Sequence, residues 1–250
     1  MIKPDNWIER QCQPPTHYTY INDDRGFEGK AFYLSNPETI ETLKFKYNRI
    51  GWGFVGADEI PELKEKIPTK PMISPFNNRQ VTKANNNAGL ISHGLSSYGY
   101  DARLDSNLKL FTNVNNVLLD PRKHNDKCLV NARIQKDEDG LDYAVLPPNS
   151  FMLGHTLEYF CIPRNVLVVC MGKSTLARIG CSVTITPLEP EWEGQIVIEI
   201  ANMTNLPMKI YPNQGICQLL FFESDEDCQV SYKDKGGKYQ GQTGITVAKV

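Results

Sequence analysis

The sequence predicts a mainly β protein, and three observations support that class. The chain has 250 residues, of which 40% are hydrophobic, so it is long enough to bury a sizeable core. It contains 18 glycines and 16 prolines, many of them between short apolar runs, as is typical of turn-rich β proteins. Several short apolar segments follow one another after residue 90, and their spacing indicates a β-sandwich or a β-barrel.

The first part of the chain differs from the rest in its pattern of apolar and turn-forming residues, and this difference predicts an extra N-terminal α/β segment. A short helix is expected at residues 5–13. A longer helix is expected at residues 36–50, because an asparagine and a proline suit its first turn and its apolar residues recur at helical spacing. A further helical stretch at 61–66 precedes a proline-rich connector. We therefore divide the chain into residues 1–71 and residues 72–250.

The predicted strands are short and separated by turns. They are residues 108–111, 151–154, 166–171, 195–200, 208–210 and 216–222. The segments between them are rich in proline, asparagine and glycine, whose backbone preferences suit tight turns. The C-terminal tail, residues 229–250, is polar and rich in glycine, and composition alone leaves open whether it is ordered.

Charge and composition exclude several classes of protein. Lys and Arg number 27 against 29 Asp and Glu, which excludes a globally basic coat for nucleic acid but allows a local basic pocket. The sequence has no apolar stretch long enough for a bilayer and no signal-peptide core. We expect a cytoplasmic protein, or one in a host's cytoplasm if virally encoded, with no nucleic-acid or membrane partner. Its seven cysteines form no C-x-x-C pair and are expected to be buried reduced thiols.

The segment 172–180, GKSTLARIG, is the first candidate for chemistry. A phosphate-binding P-loop also needs a glycine five residues before Gly172, and Leu167 stands there, so the ATPase interpretation is rejected. Two cations and two hydroxyls beside free backbone amides are still chemistry that binds phosphate. The alternative is a solvated helix start with Arg178 in a surface ion pair.

Glu199 is the candidate general base. Strand alternation over residues 195–202 places Ile196, Ile198 and Ile200 on one face and Glu199 on the other. A carboxylate on a solvated face has no need of a catalytic role, whereas an enclosed carboxyl has a raised pKa and can exchange protons. The sequence alone leaves both interpretations open.

Four segments together resemble the dCTP deaminase family. They are SSYGYDARL at 96–104, GKSTLARIG at 172–180, TPLEPEWEG at 186–194 and GKYQGQTG at 237–244. They stand in the family's order, and residues 1–11 resemble the family's N-terminal helix. The resemblance implies a distorted β-barrel of the dUTPase-like (β-clip) type with a few short helices. It also implies a homotrimer with active sites at subunit interfaces and a tail that closes over the bound nucleotide.

The resemblance implies roles for individual residues. Glu199 would take a proton from the water that attacks C4 of cytosine, and Arg178 and Ser174 would position that water and stabilise the intermediate. The backbone of residues 197–198 would recognise the base edge. The implied nucleotide-binding set is Lys173, Ser174, Thr175, Leu176, Ala177, Arg178, Val197, Ile198, Glu199, Gln218, Tyr232, Lys238 and Gln242.

The resemblance also implies the metal requirement. Mg²⁺ would be held through the triphosphate, so no protein ligand to a metal is expected. The family uses no zinc, and the sequence contains neither the H-x-E nor the P-C-x-x-C pattern of the zinc-dependent nucleobase deaminases.

Two features depart from the family's pattern. Other branches carry a longer loop of the form TAHRIDPGW, whereas residues 186–192 are two residues shorter and place Glu189 where that loop has aspartate. This difference weakens any carry-over of dTTP feedback inhibition or of combined deaminase–dUTPase activity. In addition, residues 12–71 resemble an insertion, and their aromatic content indicates a folded appendage. It either only packs on the barrel, or it contacts a neighbouring subunit or partner and modulates the site.

The expected function is zinc-independent hydrolytic deamination of dCTP to dUTP and ammonia, which feeds dUMP and thymidylate synthesis. Two alternatives remain: a bifunctional enzyme that releases dUMP and pyrophosphate, and a non-catalytic nucleotide-binding regulator on the same fold. The intact set of Ser174, Arg178 and Glu199 argues against the regulator, because binding alone does not need all three.

Overall fold

The computed structural model divides into two compact units. It describes residues 1–12, 18–21, 30–33, 70–114, 118–120, 122 and 126–249. One unit joins Met1–Cys12 to Met72–Val250, and the other is Gln13–Pro71. The described part of the second unit contains two antiparallel strands, β1 (Tyr18–Ile21) and β2 (Lys30–Tyr33). The helices predicted at 36–50 and 61–66 lie outside the described residues.

The first unit begins with helix α1 (Asp5–Cys12), which confirms the predicted N-terminal helix. Its residues Trp7, Ile8 and Cys12 are buried, and burial raises the pKa of the Cys12 thiol. The backbone N–H of Met72 donates to the Gln11 carbonyl at 2.9 Å. The chain therefore leaves this unit after Cys12 and returns to it at Met72 at neighbouring positions.

The remaining elements of the first unit are mostly strands, and a strand overlaps each of the six predicted segments. Their bounds are β3 (Ile73–Ser74), β4 (Val81–Lys83), β5 (Gly89–Ser96), β6 (Gly99–Arg103), β7 (Lys109–Phe111), a 3₁₀-helix (Asp126–Cys128), β8 (Leu129–Asn131), β9 (Ile134–Lys136), β10 (Asp142–Leu146), β11 (Phe151–Cys161), β12 (Val166–Gly172), α2 (Ser174–Ala177), β13 (Cys181–Thr184), β14 (Glu193–Asn202), β15 (Met208–Ile210) and β16 (Gly215–Glu223). The mainly β class with a few short helices is confirmed.

The strands of this unit form three sheets. The first has the order β13–β14–β11–β7–β8, with β3 also paired to β11. The second is β12–β16–β6–β5–β4, and the third is β15–β10–β9. In the described part of the chain these sheets do not join into one closed ring of strands, so the distorted barrel stays a prediction.

The core lies between the sheets and is built by strand alternation. On β14, Ile196, Ile198 and Ile200 are buried, while Val197 and Glu199 on the other face are not. The largest fully buried side chains include aromatic rings from three different strands: Tyr100, Phe160 and Phe221. The alternation predicted for this strand is therefore confirmed, and it aims one face of β14 at the core and leaves the other for the site.

Some of the cysteines lie in this apolar interior. Burial raises the pKa of the Cys170 thiol to about 12 and that of Cys181 to about 11, and Cys217 is fully buried. These groups therefore behave as small apolar side chains rather than as thiolates. Among the described residues, no helix is long and apolar enough to cross a membrane.

Candidate active site

A cavity of about 710 Å³ opens between β14 and the C-terminal tail. Its walls are largely apolar and aromatic, with a small number of polar side chains, which is the usual composition of a small-molecule site. The polar or charged side chains that line it are Thr186, Glu189, Glu199, Tyr232, Lys238, Tyr239, Gln242 and Thr246. Five residues of the predicted nucleotide set, Val197, Glu199, Tyr232, Lys238 and Gln242, are thus brought to one place.

Glu199 projects from the solvent-side face of β14 into this cavity. It lies in register with Leu153 of β11 on one side and Thr184 of β13 on the other. Its side chain is open to the cavity, yet the surrounding walls, which include Phe151 and Ile185, withdraw water from it. This desolvation raises the pKa of the Glu199 carboxyl, and a carboxyl so placed can both accept and return a proton.

The backbone of Val197 faces a gap in the sheet. The N–H and C=O of Gln195 both bond to Gln242 of the tail, each at 2.9 Å. The next N–H, of Ile196, turns the other way and donates to the Thr156 hydroxyl on β11 at 2.9 Å. Strand alternation therefore directs the peptide groups of Val197 away from β11, towards the gap between the tail and the end of β13.

The tail is ordered along the cavity, which answers the question that composition left open. The N–H of Tyr232 donates to the Pro190 carbonyl at 3.0 Å, and the indole N–H of Trp192 donates to the Tyr239 carbonyl at 3.2 Å. The Tyr239 N–H donates to the Tyr232 hydroxyl at 3.1 Å. These contacts tie the tail to the 186–194 segment, so the two segments together form one wall.

The rest of the predicted nucleotide set lies outside this cavity in a single chain. Ser174 and Thr175 on α2, and Ala177 and Arg178, are exposed, whereas Leu176 is buried. Lys173, Gln218 and the segment 174–178 are absent from the cavity wall, and Ile198 turns its side chain into the core. The structure therefore separates the predicted residues into two groups.

Lys173 is engaged within the protein. Its ammonium lies 2.7 Å from Asp101 Oδ2 and donates to the Ser92 hydroxyl at 3.2 Å. Asp101 Oδ2 also accepts from Gln80 Nε2 at 3.0 Å, while Oδ1 is buried without a partner. Gln218 Nε2 donates to the Ser96 hydroxyl at 3.4 Å, so both of these residues of the predicted nucleotide-binding set contact residues of β5 or β6.

Sequence reasoning missed several residues of the site. Trp192 and Tyr239 line the cavity, and Gln195 anchors the tail through its backbone and its side chain, whose Oε1 accepts from Gly244 N–H at 2.8 Å. Trp192 and Tyr239 lie inside the quoted segments 186–194 and 237–244, so position within a motif was a usable signal for them. Gln195 carries no such signal because its contact depends on where the tail runs.

The described residues include no group of three or more His, Cys, Asp or Glu side chains that could hold a metal ion. The carboxylates that line the cavity are Glu189 and Glu199, and Glu189 contacts the ammonium of Lys235. Two separated carboxylates suit a metal that arrives with phosphate oxygens of its ligand better than a resident all-protein site.

The fold and the site together define a class of small-molecule-binding protein with proton-transfer chemistry. A β-rich scaffold carries a desolvated glutamate beside outward-facing strand peptides, in a cavity with aromatic walls and a lysine from the tail. Such a site suits proton-transfer chemistry on a flat, hydrogen-bonding ligand that carries negative charge.

Comparison with known proteins identifies the family. Residues 58–224 match the family model described as dCTP deaminase-like. The dCTP deaminase of Acinetobacter baumannii (strain AYE) is 52% identical over 190 residues, covering 76% of this chain and 95% of that protein. The dCTP deaminase of Ectopseudomonas mendocina (strain ymp) is 52% identical over 178 residues, covering 71% and 90%. The chain belongs to the dCTP deaminase family.

A solved structure also shows a partial likeness. The crystal structure of 2'-deoxycytidine 5'-triphosphate deaminase from Agrobacterium tumefaciens matches with a TM-score of 0.40 and 16% identity, over 52% of this chain and 40% of that one. A match at this score does not decide the fold, and the assignment to the family rests on the sequence comparisons.

Proposed function

We propose that this protein hydrolyses dCTP to dUTP and ammonia. The observation that supports it most directly is Glu199, whose desolvated carboxyl faces the cavity next to the outward-facing Val197 peptide. The relatives that are 52% identical over 190 and 178 residues are named dCTP deaminases. The function predicted from the motifs is therefore also the function that the cavity supports best.

Glu199 performs the proton transfers of the reaction. Its carboxylate takes a proton from water, and the resulting hydroxide adds to C4 of cytosine while the proton passes to N3. The proton of the new hydroxyl group then moves through Glu199 to the amino group, which leaves as ammonia as the C4 carbonyl forms. The carboxyl needs a pKa above its ordinary value for both transfers, and desolvation raises it in that direction.

Val197 recognises the base. One edge of cytosine presents acceptors at O2 and N3 beside the donor amino group, and a strand peptide presents one donor and one acceptor. The outward-facing N–H and C=O of Val197 therefore match that edge, whereas those of Ile198 are directed towards β11, where Ile198 lies opposite Gly154. The adjacent aromatic wall, which includes Phe151 and Trp192, suits a flat ring.

We propose that a second subunit completes the site. Ser174 and Arg178 would position the water and stabilise the tetrahedral intermediate, but in one chain they lie outside the cavity of Glu199. They stand next to exposed apolar side chains, Ile179 on the same segment and Met203, whose N–H bonds to Gly180. Exposed apolar surface beside reactive side chains is typical of a subunit interface. A homotrimer with three interfacial sites supplies both groups to each site.

The triphosphate is bound by cations, amides and hydroxyls from both sides of this interface. The residues proposed for it are Lys173, Thr175, Leu176, Ala177, Gln218, Tyr232, Lys238 and Gln242. Mg²⁺, held by the phosphate oxygens and water, neutralises part of the triphosphate charge when it is bound. The reaction itself is assigned to Glu199, Ser174 and Arg178, with no zinc.

One assay tests the proposal. The purified protein is incubated with dCTP and Mg²⁺ in zinc-free buffer, and the nucleotides and ammonia are resolved. Equal amounts of dUTP and ammonia are expected. Release of dUMP and pyrophosphate would identify the bifunctional alternative, and dCTP that binds but remains unchanged would contradict both enzymes.

A further inference from the structure

Arg164 joins two segments that are far apart in the sequence. It lies in the turn between β11 and β12, and its guanidinium contacts Glu191 Oε2 at 2.6 Å and Asp234 Oδ2 at 2.7 Å. It also donates to the backbone carbonyls of Cys228 at 3.2 Å and Gln229 at 3.0 Å. One planar group thus holds a carboxylate on each segment together with two carbonyls at the start of the tail.

Both segments continue directly into the cavity wall. Glu191 precedes Trp192, which lines the cavity, and the tail carries Tyr232, Tyr239 and Gln242 into the same wall. Arg164 is not among the cavity-lining residues. Any effect it has on the nucleotide is therefore exerted through the position of these two segments.

The chemistry of this contact requires arginine. A guanidinium presents five N–H donors in a rigid fork, whereas a lysine ammonium is a single point on a flexible stem. Asp234 also accepts from the Ser231 N–H at 3.0 Å, and its own N–H donates to the Ser231 hydroxyl. The Ser231 N–H and then Arg164 lower the pKa of Asp234 to about 2, so it stays ionised wherever the enzyme works.

We propose that Arg164 is a positioning residue for the nucleotide: it fixes the base of the C-terminal tail to the turn that carries Trp192 and so presets the tail over the cavity. This inference rests on the proposed function. Without the anchor, the tail is held by contacts further along, such as Gln240 Nε2 to the Glu191 carbonyl at 3.0 Å. Substrate binding must then also select the closed arrangement of the tail.

The predicted kinetic signature follows from that extra step. Ordering the tail is needed equally for bound substrate and for the transition state, so its cost appears in KM and leaves kcat nearly unchanged. We expect KM for dCTP to rise about three- to tenfold in Arg164→Gln, with kcat within about twofold. Arg164→Lys keeps the charge without the fork and should recover only part of the loss.

The experiment compares Arg164→Gln, Asp234→Asn and the double variant in steady-state kinetics. Because both single variants break the same contact, the double variant should be no worse than Arg164→Gln. Lys136→Gln is the matched control, because it removes another exposed ion pair, with Asp142 at 2.8 Å. Its kinetics should equal those of the wild type. If Arg164→Gln does not fold, Asp234→Asn alone tests the contact from the side of the tail.

Limited trypsin digestion of the ligand-free protein provides a readout independent of activity. The tail offers cleavage sites at Lys233, Lys235 and Lys238, and cleavage there should be about fivefold faster in Arg164→Gln than in Lys136→Gln if local opening governs it. Unchanged KM, unchanged digestion, or a loss confined to kcat would each overturn the proposal. A wild-type protein that does not deaminate dCTP would contradict the proposed function, while the digestion would still report on the anchor.

Discussion

Glu199 shows how one residue acquires chemistry from its surroundings. Strand alternation alone places it opposite the core, where a carboxylate is ordinarily solvated. The tail and the 186–194 segment line the cavity that this face borders, and partial desolvation raises the pKa of the carboxyl although the side chain stays exposed to the cavity. Its place on β14 was predictable from the sequence, but the cavity that it faces is also lined by tail residues about 40 positions further along the chain.

Glu199→Gln tests the assignment of the general base. An amide keeps the shape and hydrogen bonds of the side chain but cannot accept the proton, so kcat should fall by about 10²–10⁴-fold, while dCTP binding measured by calorimetry is retained. Glu138→Gln removes an exposed glutamate from the surface and should leave both unchanged. Activity of Glu199→Gln within tenfold of the wild type would contradict the role.

The raised pKa of Glu199 predicts the pH dependence of the enzyme. The reaction starts from the carboxylate, so kcat/KM should decline as the pH falls through the pKa of the free enzyme's Glu199. Because desolvation raises that pKa, the midpoint of the acid limb should lie above the ordinary value of 4.5. A midpoint at or below that value, in a pH range where circular dichroism shows the fold intact, would contradict it.

Asp101 and Lys173 form a buried ion pair, and the prediction for this pair concerns stability. Their side chains are 3% and 10% exposed, so removing one charge leaves the other in a desolvated place without the opposite charge that compensates it. Asp101→Asn should lower the free energy of unfolding by about 3–5 kcal/mol, measured by urea denaturation at neutral pH. Glu138→Gln breaks an exposed pair with Lys209 and should change it by less than about 1 kcal/mol. Equal effects of the two substitutions on the free energy of unfolding would show that the buried pair contributes no more to stability than the exposed pair.

At the scale of elements, β14 and the tail supply different parts of the cavity wall. β14 places its isoleucines in the core and its carboxylate and peptides in the cavity. The tail adds a short parallel bridge at Gly194 and Gln242 to the same strand. The period of two in β14 made the strand predictable, whereas the tail has no periodic pattern, so composition could not reveal its order.

Gly237 tests whether the tail must pack as the structure shows. A Cβ at this position would lie 2.1 Å from the Tyr232 ring, so Gly237→Ala must displace either the ring or the tail. We expect KM for dCTP to rise at least about threefold with the melting temperature unchanged. Gly89→Ala is the control, because its Cβ would meet nothing within 4 Å. An unaltered KM in Gly237→Ala would show that the tail packs differently.

At the scale of the whole molecule, the residues proposed for the active site lie on two surfaces of one chain. The cavity holds Glu199 and the tail residues, whereas Ser174 and Arg178 are exposed elsewhere. A closed symmetric oligomer can bring one surface of each subunit to the other surface of its neighbour. The resemblance to the family predicted sites at subunit interfaces, and the structure shows which of the proposed residues line the cavity of one chain and which do not.

Mixing two inactive variants tests the shared site. Glu199→Gln and Arg178→Gln subunits, exchanged by mild denaturation and refolding, should regain about a quarter of wild-type activity, because about that fraction of interfacial sites combines an intact residue from each parent. Sedimentation should give three times the chain mass of 28.3 kDa. A mass of one chain, or no recovery after verified exchange, would contradict the trimer.

The sequence by itself determined the mainly β class, the places of the strands, the two faces of β14 and, through its motifs, the family. These follow from local rules: side-chain periodicity, turn-forming residues and the order of short motifs. Only the tertiary structure decided which tail contacts form the cavity wall, that Asp101 pairs with Lys173, and that Arg164 joins the tail to the turn before β14. Those features depend on contacts between residues distant in the chain, and a contact of that kind leaves no periodic trace in the sequence of either partner.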